Sequence, residues 1–220
     1  MYSGVNMKQT MIKKTEDFVK EKLHGESSGH DWYHIYRVKN LSENIAEKEG
    51  ADHFICVMAA LLHDIADEKI AGSEEKGIQE VRQWLESISV EDHCITHILS
   101  IISTMSFKGG NQAEMSSIEG MVVQDADRLD AIGAIGIGRT FAYSGAKGQL
   151  MYDPEIPVRE VMTKEQYRNE KSTAVNHFYE KLLKLKHGMN TSYAKKLADD
   201  RHAFLESFLE QFFGEWEGRK

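Results

Sequence analysis

With 220 residues, 41% hydrophobic and 28% charged, the chain can build a full core and reads as a soluble globular protein, not a disordered one. Its net charge of −8 excludes a general nucleic-acid coat, because a polyanion is bound by a broad basic surface. A small phosphorylated substrate, held by a few local cations and a metal, is compatible with that charge. No apolar run approaches the ~18–20 residues of a bilayer span, and Met1–Met11 carries no apolar signal core, so a cytoplasmic location without a membrane partner is expected.

The only two prolines, Pro154 and Pro157, lie close together, which leaves the rest of the chain open to long helices. Apolar residues recur at three- and four-residue steps in Ile35, Val38, Leu41, Ile45, again in Val175, Phe178, Leu182, Leu185, and in Phe204, Phe208, Phe212. This periodicity predicts helices near 8–23, 31–48, 52–66, 73–87, 91–104, 115–129, 131–144, 164–187 and 191–215, with Asp52 and Ser73 as N-caps. No segment alternates long enough for a strand, so the class is all-α. We expect one domain over 1–220, a helical core over about 25–145 with C-terminal helices over about 160–215 packed on it. Cys56 and Cys94 fall in helix interiors and read as small buried hydrophobes, not a disulfide or a zinc site.

Three features carry chemistry. His34 shares a face with Val38, Leu41 and Ile45 and stands in the polar cluster His30-Asp31-Trp32-Tyr33-His34, where His30 reads as a cap or as a group behind the site. His63-Asp64 follows the apolar run Ile55–Leu62; a carboxylate at the end of a buried helix calls for a partner, and a cation serves well. Gln124-Asp125-Ala126-Asp127-Arg128-Leu129-Asp130 opens a close-packed helix with three acids, again a setting for a cation.

Taken in order, His34, His63-Asp64 and Asp127 resemble the H…HD…D signature of the HD superfamily of metal-dependent phosphohydrolases, at spacings of 29 and 63 residues. The resemblance spans nearly the whole chain and is closest to small bacterial HD-domain hydrolases with sequences like Ala-Leu-Leu-His-Asp-Ile-Ala-Asp, Met-Ser-Phe-Lys-Gly and Asp-Ala-Asp-Arg-Leu-Asp. It implies an HD-type helical bundle whose metal ligands are His34, His63, Asp64 and Asp127. Asp125 and Asp130 compete for the last place, and the Ala-Asp-Arg-Leu match favours Asp127, leaving Asp130 behind the site or at the substrate. The subgroup resembles nucleotide pyrophosphohydrolases, which release pyrophosphate from nucleoside triphosphates. A 5′-nucleotidase, a cyclic-nucleotide phosphodiesterase or an alarmone hydrolase would use the same site, and a non-catalytic metal or nucleotide sensor is the reading from another class.

Two imidazoles and two carboxylates suit a divalent transition ion, with Mn²⁺ expected and Fe²⁺, Co²⁺, Ni²⁺, Zn²⁺ or Mg²⁺ as alternatives. Such an ion would activate a water, so no Ser or Cys nucleophile is required. Asp67, on the helical face of His63, or its neighbour Glu68 would act as general base. Arg37, Lys69, Lys108 and Lys147 would hold phosphate charge, since no Walker-type loop is present. His93 and His97 have metal-pair spacing, but the resemblance implies a single-metal site, since the chain departs from the two-metal HD proteins in lacking adjacent histidines before Asp127. The other histidines, His24, His53, His177, His187 and His202, read as surface residues. The stripe Phe204, Phe208, Phe212, Phe213, Trp216 reads as core or as a homodimer contact.

Overall fold

The computed structural model describes residues 2–25, 30–105, 114–159 and 172–220, and every regular element among them is helical, as the periodicity predicts. Contacts divide the chain into two compact units, Met1–Ala126 and Asp127–Lys220.

The first unit comprises α1 (Tyr2–Lys22), α2 (Trp32–Glu49), α3 (His53–Leu62), α4 (Glu68–Ala71), α5 (Glu74–Ser87), α6 (Asp92–Met105) and most of α7 (Ile118–Asp130). At its centre is α3, apolar all round and buried from Phe54 to Leu62, with α1, α2 and α6 packed against it. Asp52 caps α3 by accepting from the Ile55 N–H at 3.0 Å, and Ser73 caps α5 by accepting from Lys76 N–H at 3.3 Å. Gly50 closes α2 at φ +70, its N–H donating to Ala46, a left-handed stop that glycine adopts without strain. Cys56 and Cys94 are buried thiols, and burial pushes Cys56 up to about 12.

The structure departs from the expected single helix over 52–66. The α-helix ends at Leu62, and His63–Ala66 tighten into a 3-10 turn. This turn packs on α5 and α6. Ile65 and Ala66 stay buried in it, which is why the apolar pattern ran on without marking the change.

The second unit holds the end of α7, α8 (Gly133–Ala146), α9 (Ala174–Glu180), a 3-10 segment Leu182–Gly188 and α10 (Ser192–Trp216). Of the helix expected over 164–187, residues 164–171 lie outside the described residues, and the remainder breaks at Lys181 before continuing as 3-10. Helices α9 and α10 pack on α8, around Phe178, whose ring stacks on Phe208 at 5.7 Å. The aromatic stripe is therefore divided: Phe208 joins this cluster while Phe204 and Trp216 are 52% and 47% exposed. Arg159 forks onto Glu180 (2.8 and 2.7 Å), and the Asn176 amide donates to the Ile156 carbonyl at 2.9 Å, which ties the proline-containing loop to α9. His202 is buried beside Ala198 and Leu205, and His177 is half-buried, in contrast to the surface positions expected for both. No helix among the described residues is long and apolar enough to cross a membrane.

Candidate metal centre

Asp31, with extended backbone, caps α2 by accepting from the His34 N–H at 2.9 Å. The cap satisfies a donor that the helix leaves open and starts the turn that carries His34, which is 3% exposed on the face of Ile35 and Val38.

The 3-10 turn presents His63 and Asp64. The Nδ1 atom of His63 lies 2.8 Å from the Ala60 carbonyl, which can only accept; Nδ1 is therefore the donor there, and Nε2 is turned to the Asp64 side. Asp64, 5% exposed, lies among three imidazoles. His30 Nδ1 is 2.9 Å and His34 Nε2 is 3.6 Å from Oδ2, while His63 Nε2 is 3.2 Å from Oδ1. Burial pushes the Asp64 carboxyl up, but the His63, His30 and His34 rings outweigh it and hold the group well below the usual carboxylate range.

Helix α7 runs without a break through the boundary of the first unit and carries Asp127 one residue beyond it. One ligand atom from each of His34, His63 and Asp127 lies within 4.8 Å of the other two, and no other such group of three forms among the described residues. Two ring nitrogens and a carboxylate oxygen, with Asp64 in contact with both rings, fit a divalent transition ion. Asp125 and Asp130 are buried but outside this group, and the Asp130 carboxylate accepts from Arg139.

A family model for the HD domain matches residues 31–132. YpgQ of Bacillus subtilis is 43% identical over 196 residues, 88% of each chain. The crystal structure of an HD-superfamily hydrolase from Bacillus thuringiensis is 52% identical, covers 96% of this chain and 99% of its own, and superposes with a TM-score of 0.79. The chain belongs to the HD superfamily of metal-dependent phosphohydrolases. A crystal structure of B. subtilis YpgQ in complex with ADP aligns with this HD protein at 38% identity and a TM-score of 0.76, covering 95% of the chain and 100% of YpgQ.

The other expected residues of this HD-family protein are placed as follows. Asp67 is half-buried but does not share a helical face with His63; it ends the 3-10 turn with an extended backbone, and its carbonyl accepts from Ile70 and Ala71 to begin α4. Glu68 is the exposed first residue of α4, and Lys69 follows it in that helix. Arg37 is half-buried on α2, one turn past His34. Lys147 is the exposed C-cap of α8, its Nζ 5.7 Å over the Tyr143 ring, and Lys108 lies outside the described residues. His93 faces Glu91 at 3.3 Å and His97 faces Glu119 at 3.6 Å, so this pair turns to different carboxylates. His30, expected as a cap or as a group behind the site, takes the second place: its ring grips Asp64, and Asp31 is the cap. The sign was the unusual density of polar residues around it.

Proposed function

We propose that this protein hydrolyses (deoxy)nucleoside triphosphates to the monophosphate and pyrophosphate, using one divalent ion, Mn²⁺, held by His34, His63, Asp64 and Asp127. The observation that carries the reading is the convergence of His34, His63 and Asp127 with Asp64 against both rings. Its nucleotide half is supported by the YpgQ complex with ADP, a relative aligned over 95% of this chain.

A bound divalent cation supplies polarisation of a phosphoryl oxygen and acidifies water. The chain supplies orientation and proton transfer. The Ala60 carbonyl fixes the ring of His63, and His30 fixes Asp64. Water attacks the α-phosphorus, its proton passes to Asp67 or Glu68, and the bond from that phosphorus to the bridging oxygen breaks to release pyrophosphate. Arg37 and Lys69, with Lys108 and Lys147, are the cations proposed to balance polyphosphate charge. Asp130, also considered for the substrate, has its carboxylate engaged by Arg139. The net charge of −8 makes a small nucleotide a better partner than a nucleic acid.

The test offers the purified protein, with Mn²⁺, nucleoside triphosphates, monophosphates, cyclic nucleotides and alarmones. Pyrophosphate and monophosphate in equal amounts from triphosphates are expected. Free phosphate from monophosphates would make it a nucleotidase, and silence across the panel with Mn²⁺ bound would make it a sensor.

A further inference from the structure

The HD match ends at residue 132, where α7 gives way to α8, and the groups that hold the last turn of α7 come largely from beyond that point. Arg201 on α10 donates to the Leu129 carbonyl. Arg139 on α8 donates to the Asp130 carbonyl at 3.3 Å and to the Asp130 carboxylate. Arg128, on α7 itself, donates to the Gly188 carbonyl in the 3-10 segment. The last carbonyls of a helix lack donors within the helix, and cations suit its negative end.

The corner is also shaped around Arg201. Gly133 turns the chain at φ +73, and a Cβ there would stand 3.0 Å from Cγ and 3.2 Å from Cβ of Arg201. A Cβ on Gly136 would run into the Ala131 carbonyl. Glycine at 133 takes the positive φ of the corner and leaves room for the aliphatic stem of Arg201, and glycine at 136 lets the start of α8 close on the Ala131 carbonyl.

Asp127 stands two residues before Leu129 and three before Asp130, in the turn that these contacts hold. We propose that Arg201, with Arg139, is a positioning residue for Asp127: helix α10 sets the last turn of α7 and with it the final metal ligand. The inference rests on Asp127 being a ligand, as read above. It assigns to the C-terminal helices a part in the metal site that the HD region alone does not contain.

The experiment is calorimetric titration of Mn²⁺ into the full-length protein and its Asp127→Asn, Arg201→Ala and Arg201→Lys variants, with circular dichroism as the check on folding. Asp127→Asn should abolish binding. Arg201→Ala should weaken Kd about tenfold at unchanged helicity, the lower end of the loss seen when groups behind a metal site are removed. Arg201→Lys should recover part of that loss, because it keeps the stem and charge but not the fork. An unchanged Kd for Arg201→Ala, with Asp127→Asn deficient, overturns the positioning role and leaves a plain helix cap. Unchanged binding by Asp127→Asn overturns the site reading and this inference with it. If Arg201→Ala does not fold, Arg139→Gln, at a side chain 31% exposed, is held to the same comparison: weakened Kd supports the role and an unchanged one removes it.

Discussion

Gly77 lies so close to Ala66 that a Cβ at position 77 would stand 2.6 Å from the Ala66 Cα and 2.9 Å from its carbonyl carbon. Helix α5 thus rests, backbone against backbone, on the turn that presents His63 and Asp64. In an open helix Gly→Ala stabilises by roughly 1 kcal/mol. Here the added methyl meets main chain, and overpacking costs about 1–3 kcal/mol. Gly77→Ala should therefore lower the melting temperature and weaken Mn²⁺ binding together. A higher Tm would show that the turn can move aside freely.

Asp127 and Asp130 should separate cleanly. Asp127→Asn is expected to lose Mn²⁺ binding. Asp130→Asn takes the carboxylate from Arg139 at a site 1% exposed, so it should cost about 1–3 kcal/mol. Its metal affinity should fall less than that of Asp127→Asn. Paired thermal melts and Mn²⁺ titrations decide, and the opposite pattern would exchange the two roles.

His30→Ala removes the ring that holds Asp64 Oδ2 at 2.9 Å. Loss of such a supporting group lowers metal affinity by about 10–100-fold. We expect Mn²⁺ Kd to rise within that range while the fold, whose α2 cap is Asp31, is kept. An unchanged Kd would mean that the other groups around Asp64 suffice.

Acid should destabilise the second unit through two groups on α9. Burial, with the charges of Lys181 and Arg159 and against that of Glu180, lowers His177 from 6.5 to about 4. Between these values the unfolded chain takes up a proton that the folded ring refuses, so stability falls as pH drops through that window. Burial pushes Glu180 up, but its bonds to Arg159 win and lower it, so its contribution is present above the unfolded value of ~4.3 and is lost as pH falls through the folded value below it. Melting temperature should decline from pH 6.5 toward 4, and His177→Gln should flatten that part of the curve. An unaltered slope in this variant would place the acid sensitivity elsewhere.

Much of the fold was legible because helices announce themselves by period and cap: the apolar α3 and the caps Asp52 and Ser73 lie where the residues put them. The four expected metal residues stood out as an ordered family pattern, not as any single spacing. Two local changes were hidden. The 3-10 turn at His63 and the break at Lys181 both keep apolar residues three apart, a step that α and 3-10 helices share. The misassigned His202 did carry a sign, since Ala198, His202, Leu205 and Leu209 follow a helical face that proved buried. Nothing local announces that Arg201 meets Leu129, 72 residues earlier. That contact depends on how α10 lies across a corner made by glycines, and a single chain records no such pairing in its period.

The Asp31 cap gives the site a dynamic side. Helix ends fray by brief openings that cost far less than global unfolding. Here the fraying end bears His34 three residues in, and His30 immediately outside it grips Asp64. Each opening of that first turn would withdraw one ring and slacken another, so the centre is only as persistent as its helix end. Conversely, an ion that ties His34 to His63 should close the end, and the amide of His34 should then exchange its hydrogen more slowly with solvent in the loaded protein.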